Sequence, residues 1–383
     1  MASEIKVNKI TGKGATGGAD APLQFDGNVL TTAIITNATI TNATISKINL
    51  SGTTPPSSPV AGDMYYDSAD NIVRVWNGSI WERLTNTLVA SGGTEDYYTS
   101  NGTTYKVHIF LTSGTTTFST NAGSIDWLVV AGGGGGAGQM GAGGGAGGFR
   151  TGANYSIPAG TYTITVGAGG AGGESGNVDG ADDGSNSSIG SLIVSHGGGG
   201  AGGYGGDSTH CTGHDGGSGG GGASGLGTGF AGGSTIALNP AQVTGEVTTV
   251  QGFAGGAGTD NASNSYTGGG GGGASEVGET SSGYTTGGAG GDGENNVMGM
   301  NDADSDAFLT ELSVGHNASD NLRYFSGGGT GTDYPSPTYQ TASKGGGGSN
   351  SVGVANTGGG GSGKQGSPGH AGGSGIVIIR YAI

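Results

Sequence analysis

A single cysteine, Cys211, in 383 residues leaves no internal disulfide framework to build. Cations are scarce as well: 12 Lys and Arg against 28 Asp and Glu give a net charge of −16, which argues against a phosphate backbone as partner. Long apolar runs are missing. The longest aliphatic run is "IVII" at Ile376–Ile379, and the opening "MASEIKVNKITGKG" carries Glu4, Lys6 and Lys9 where a secretory signal would be apolar. Neither membrane insertion nor signal-directed export is therefore expected, and an extracellular role would follow release from a lysed cell. At 32% hydrophobic content, a conventional core for a chain of this length is not expected either.

Glycine is what abounds: 95 residues, of which 82 fall among the 253 from Ala131 onward, close to one in three. Collagen is excluded, because it needs Gly at every third position and abundant Pro, whereas this chain has runs such as Gly132–Gly136 and 9 Pro. Ordering each glycine costs about 1 kcal/mol or more of backbone entropy and buries no side chain in return. That cost can be offset if the backbone itself is the packing surface. In a coil of three residues per turn no peptide group bonds within its own helix, so neighbouring coils satisfy one another, and only glycine lets them approach on all sides. Ala, Ser and larger residues are then expected to face outward. Runs recurring near Gly132, Gly143, Gly167, Gly197, Gly216, Gly268, Gly287, Gly327, Gly345 and Gly358 fit a stacked bundle of such coils.

The chain divides into 1–50, 51–85 and 86–383. The first part holds a pentad repeat, "AIITN", "ATITN", "ATISK", "INLSG", from Ala33 to Gly52, in which Ile35, Ile40, Ile45 and Leu50 form a narrow apolar line that a partner chain would cover. The second begins with a Pro/Ser/Gly linker, Ser51–Asp63. Three short strands follow, with Asn77-Gly78 as a tight hairpin turn. Its Tyr66, Trp76 and Trp81 are read as the core of a small meander. In the third, strands are expected at Tyr105–Leu111, Thr115–Phe118 and Ile125–Val130, then from Tyr155, from Ser191, and at the end from Gly375. If the first and last of these pair, the glycine tract is one excursion from a sheet whose ends meet. The fold class is thus mainly β: a short repeat, a meander, then a sheet-framed bundle of polyglycine-II coils interrupted by loops.

The stretches "YKVHIF", "GSIDWLVVAGGGGGAG", "GGFRTG", "IPAGTYTITVGAGGAGG" and "GGSGIVIIRY" resemble the glycine-rich domain of bacteriophage tail fibres and adhesins, over about Asn86–Ile383. "MASEIKVNKI" and "PVAGDMYYDSADNIVRVWNGSIWERL" resemble the attachment and meander segments of tail fibres, particularly from phages of marine bacteria. The resemblance implies a non-enzymatic, receptor-binding virion appendage. Its partners would be a host outer-membrane protein or polysaccharide and the tail or adaptor proteins. A homotrimer is expected from the resemblance and from the Ile35–Leu50 line. Other readings are a head fibre with the same module, a capsular depolymerase, and a self-assembling filament.

On a scaffold of this kind specificity belongs to the loops: Glu174–Ser195, Asp207–Asp215, Ile236–Phe253 and, first among them, Asp292–Lys344. The last carries Phe308, Tyr324, Phe325, Tyr334 and Tyr339 as candidate receptor contacts, about half of which would anchor the loop instead. Within it "DSDAFLTELSVG" is expected to be the one short helix, with Ser305 as N-cap, Phe308 and Leu312 on one face and Gly315 as terminator. No cofactor is expected. "GGGGSGKQ" has Gln365 where a phosphate loop needs Ser or Thr. "DADSD", Asp302–Asp306, starts like a calcium loop but has Ala307 in place of its Gly. His210, Cys211 and His214 lack an evident fourth metal ligand.

Overall fold

The computed structural model describes residues 55–383 except 69–71, 85–87, 140, 175–179, 206–207, 226, 261–265, 283–285 and 335–336. The pentad repeat and the rest of 1–50 lie outside the described residues. Two compact units divide between Thr85 and Asn86.

In the first unit β1 (Met64–Asp67), β2 (Ile72–Trp76) and β3 (Trp81–Arg83) make an antiparallel meander. Tyr65, buried, packs edge-on against Trp81 at 4.8 Å, and Trp81 meets Trp76 at 5.4 Å. The turn is wider than expected. Trp76 pairs with Trp81, so four residues close the loop, and Asn77 Oδ1 accepts the amides of Ser79 and Ile80, each at 2.9 Å. Of the Asn77-Gly78 pair only Gly78 takes a positive φ, +104°. The two-residue Asn-Gly hairpin is found elsewhere, at Asn101 (φ +50°) and Gly102 (φ +79°), where both residues enter the left-handed region that such a turn demands.

That hairpin joins β5 (Thr94–Ser100) to β6 (Thr103–Phe110) in the second unit. One five-stranded sheet runs β5–β6–closing strand (Ile376–Ala382)–β8 (Gly123–Val130)–β9 (Phe149–Ile157). The other runs β12 (Ile193–Ser195)–β11 (Ser187–Ile189)–β10 (Gly160–Val166)–β7 (Gly114–Thr120)–β4 (Ala90–Ser91). The strands at the two ends of the glycine tract do pair, with Ile378 opposite both Ile109 and Leu128.

The closing strand reads as an unbroken apolar run because both of its faces are covered. Val377, Ile379 and Tyr381 join Trp127, Phe118 and Ile164 in a core between the two sheets. Ile376 and Ile378, with Leu128, Val107 and Phe149, face a second core that the segment 297–325 lays over the sheet. This second core corrects two expectations. The helix, Asp302–Glu311, is capped by Asn301, whose side chain accepts the Asp304 amide at 3.0 Å; Ser305 lies inside it, buried, its Oγ accepting from the Val297 amide. Phe308 and Phe325 are fully buried, so they are core residues, not receptor contacts. Both rings pack in one cluster with Val107, Leu128 and Ile378 of the sheet. Tyr98 packs edge-on against Phe308 at 5.1 Å, and the Arg380 guanidinium, paired with Asp126 at 3.0 Å, stacks over Tyr105 and Phe308.

The glycine tract hydrogen-bonds with a period of three. From Gly132 to Ala137 the amides donate in turn to Ser185, Gly373, Gly145, Asp182, His370 and Ala142, so residues three apart address the same neighbouring segment. Gly143 to Gly148 repeat the pattern on Gly269, Gly361, Gly199, Gly272, Gly358 and His196. Every one of these bonds leaves its own segment, as three-residue coils without internal bonds require. A Cβ on any glycine from Gly132 to Gly136 would overlap a neighbouring carbonyl, that of Ala168, Gly359, Gly199, Ala171 or Ser362. Each such oxygen therefore sits within reach of a weak Cα–H···O contact.

The outward placement of larger residues is overturned in part. Ala142 and Ala201 are fully buried and pack with Ala137 and Ala181, so that four methyl groups fill a space the coils share. Ser218 and Ser343 are buried too, and each hydroxyl donates to a glycine carbonyl, Gly273 or Gly328. Small side chains enter the bundle wherever they meet one another or complete a bond.

Candidate functional site

Two of the glycine coils run antiparallel: the amides of Gly268, Gly271 and Ala274 donate to Thr332, Gly329 and Ser326. Coil 197–203 starts just after β12; coil 268–274 has Ala274 packed on the second core; coil 326–332 starts next to Phe325, inside that core. Within two residues of the other end of each coil stands a tyrosine: Tyr204, Tyr266 or Tyr334.

A small antiparallel sheet holds two of them in register. Thr259–Asp260, Tyr266–Thr267 and Asp333–Tyr334 lie side by side, with Tyr266 opposite both Asp260 and Tyr334. The ring of Tyr204 stands 5.9 Å from that of Tyr266 at 76°, and Tyr266 stands 6.0 Å from Tyr334 at 50°. Beneath the rings lies a knot of hydroxyl groups. Thr259 and Thr267 Oγ1 are 2.7 Å apart, Thr267 donates to Ser281 Oγ at 2.9 Å, and the Thr267 amide donates to Ser224 Oγ. Asp260 Oδ2 accepts the Gly227 amide at 2.7 Å, and buried Asp333 accepts the Thr338 hydroxyl at 2.8 Å. Burial, with Tyr204 and the Asp260 carboxylate as neighbours, raises the pKa of Tyr266, so the phenol stays neutral. Tyr204 and Tyr266 are half-buried and Tyr334 is exposed; the three make a tyrosine ladder on the end of the bundle.

The five candidate aromatics are thus dispersed. The glycine coil 326–332 splits Asp292–Lys344 in two. The part before it covers the sheet; the part after it pairs with Tyr266–Thr267 through Asp333–Tyr334. Tyr324 is half-buried beside the sandwich, where its hydroxyl donates to Asp320 at 2.9 Å and the Lys344 ammonium, 3.1 Å from Asp320, lies over its ring. Tyr339 is half-buried. Tyr204 and Tyr266 were not singled out in the sequence, although each abuts a glycine run, in "GGYGG" and "YTGGGGGG".

Residues 111–382 match the glycine-rich domain family. The chain belongs to that family. No curated protein matches it. The glycine-rich domain here uses its backbone amides for its own packing: in the stretch that resembles a phosphate loop, Gly358, Gly360 and Gly361 donate to the carbonyls of Ser374, Gly327 and Gly134. Asp302–Asp306 form helix instead of a calcium loop. His214 Nδ1 is bonded to Asp183 Oδ1 at 2.8 Å, and among the described residues no group of three His, Cys, Asp or Glu is placed to hold a metal ion. Nor is any helix among them long and apolar enough to cross a membrane.

A second loop, Ile236–Phe253, is fixed at the sandwich by a buried ion pair. Arg150 Nε and Nη2 donate to the two oxygens of Glu246 at 2.7 and 2.8 Å, while Nη1 donates to the carbonyls of Val194 and Pro240. Both side chains are fully buried. The bidentate geometry offsets a desolvation cost that a looser pair could not recover.

Proposed function

We propose that this chain is a bacteriophage tail fibre whose glycine-rich domain binds a receptor on the host surface, without enzymatic activity. The tyrosine ladder carries this reading. Three residues separated by up to 130 positions in sequence are brought side by side next to the ends of glycine coils. Phenols combine large apolar contact area with a polar rim and lose little side-chain entropy on binding, which suits a recognition surface. The polyglycine-II reading of the coils is supported by the three-residue period of their donors. In this reading the N-terminal region joins the tail or an adaptor, the fibre is a homotrimer through the Ile35–Leu50 line, and the protein resides in the virion.

The test is adhesion. Fluorescently labelled full-length protein is offered to a panel of marine bacteria, alongside Tyr334→Leu and Tyr204→Leu. We expect saturable binding to at least one strain, weakened about tenfold or more by either substitution, as for a central aromatic contact. Equal binding by all three proteins removes the ladder from the receptor site. Binding to no strain refutes the receptor-binding reading.

A further inference from the structure

Taking that receptor-binding reading as its basis, we infer that the ladder accepts a cation, the ammonium or guanidinium group of a Lys- or Arg-bearing protein loop. Ring geometry separates this partner from a glycan. A row of sugar rings stacks on aromatic faces that share a plane, and here neighbouring rings are inclined at 76° and 50°. The face of a phenol ring carries a quadrupole that attracts positive charge. Asp260, opposite Tyr266 in the sheet register, adds a carboxylate.

The charge of the whole unit points the same way. From Asn86 onward there are 21 Asp and Glu against 6 Lys and Arg, a net charge of −15. Four of the six cations are held in ion pairs: Lys106 with Glu95, Arg150 with Glu246, Lys344 with Asp320 and Arg380 with Asp126. Arg323 donates to the carbonyls of Val314 and Gly315. A negative domain with five of its six cations already bonded draws a basic partner toward the ladder's rings.

The experiment follows tyrosine ring resonances of the full chain, labelled at tyrosine, during titration with N-acetyl-tetralysine amide and separately with maltotriose. The peptide is expected to shift ring signals that Tyr204→Leu and Tyr334→Leu identify as the ladder. Its affinity should fall about three- to tenfold in Tyr334→Leu and stay within about twofold in Tyr266→Phe, which keeps the ring face. Raising the salt concentration should weaken it further. Tetralysine binding that is the same in Tyr334→Leu as in the native chain, or insensitive to salt, overturns the inference, as does maltotriose moving the ladder signals when tetralysine does not. If cells still bind the native protein better than Tyr334→Leu while tetralysine neither binds nor competes, receptor binding stands and the cationic partner falls. Loss of all cell binding refutes the receptor reading itself.

Discussion

Replacing Gly134 by Ala tests the claim that close backbone approach holds the bundle together. A Cβ there would overlap the Gly199 carbonyl, 2.5 Å from its carbon, and lie 2.9 Å from the Gly198 oxygen. Relief to ordinary contact needs a shift of roughly 1 Å, enough to break hydrogen bonds whose useful range is about 2.7–3.2 Å. Gly134 donates to Gly145 at 2.8 Å and accepts from Gly361 at 2.9 Å, both on other coils. Leaving two such buried groups unsatisfied costs about 1–3 kcal/mol each. Stiffening the unfolded chain returns only about 0.4–1 kcal/mol. A net loss of about 1–5.5 kcal/mol follows. Urea denaturation followed by tryptophan fluorescence reads this out, since Trp127 is fully buried in the core between the sheets. The control is Gly160→Ala, where the nearest atoms, in the Tyr162 ring, are 3.6 Å away and a methyl group fits. A Gly134→Ala midpoint equal to that of the control would refute the packing argument.

Three further outcomes are expected. Glu246→Ala leaves Arg150 charged and buried, and should cost about 3–5 kcal/mol in the same urea assay. Phe308→Ala opens the second core and should cost about 3–5 kcal/mol, whereas Tyr334→Leu at the exposed end should stay within about 0.5 kcal/mol. Burial chiefly lowers the pKa of His108, with Lys106 acting in the same direction and the Gly92 carbonyl and Glu95 opposing it. The unfolded chain then binds more protons than the native one below about pH 6.5, so stability should fall as pH drops from there toward the folded-state pKa. His316 and His370, also lowered by burial, add to this slope, while His214, raised by Asp183, opposes it. Thermal unfolding between pH 7.5 and 5 should show a shallower decline in His108→Gln than in the native chain.

Much of the frame was legible because its signals are local. The aliphatic run at Ile376–Ile379 announces a strand buried on both faces, and "YKVHIF" and "WLVV" are its two neighbours. The Asn-Gly turn was read at Asn77 alone, yet "NG" also occurs at Asn101, and local chemistry does not separate the two: Asn77 caps its loop with its own side chain, while Asn101 enters the left-handed region. The helix cap was misplaced because Ser305 is a good capping residue that the second core claims first. The ladder was illegible for a topological reason. Tyr204, Tyr266 and Tyr334 become neighbours only through coils whose lateral order is set by which amide meets which carbonyl, and glycine runs carry no side chains to encode that order.

The strand Ile376–Ala382 lies at the centre of its sheet, between partners made more than 240 residues earlier. During synthesis β6 and β8 must therefore wait, with a gap between them, until nearly the whole tract has left the ribosome. The coils emerge one at a time with their peptide groups in water, and the unit can be sealed only once this last piece arrives. A premature stop anywhere before residue 376 would leave two hydrophobic strand edges unmatched, a form that cellular quality control is equipped to detect.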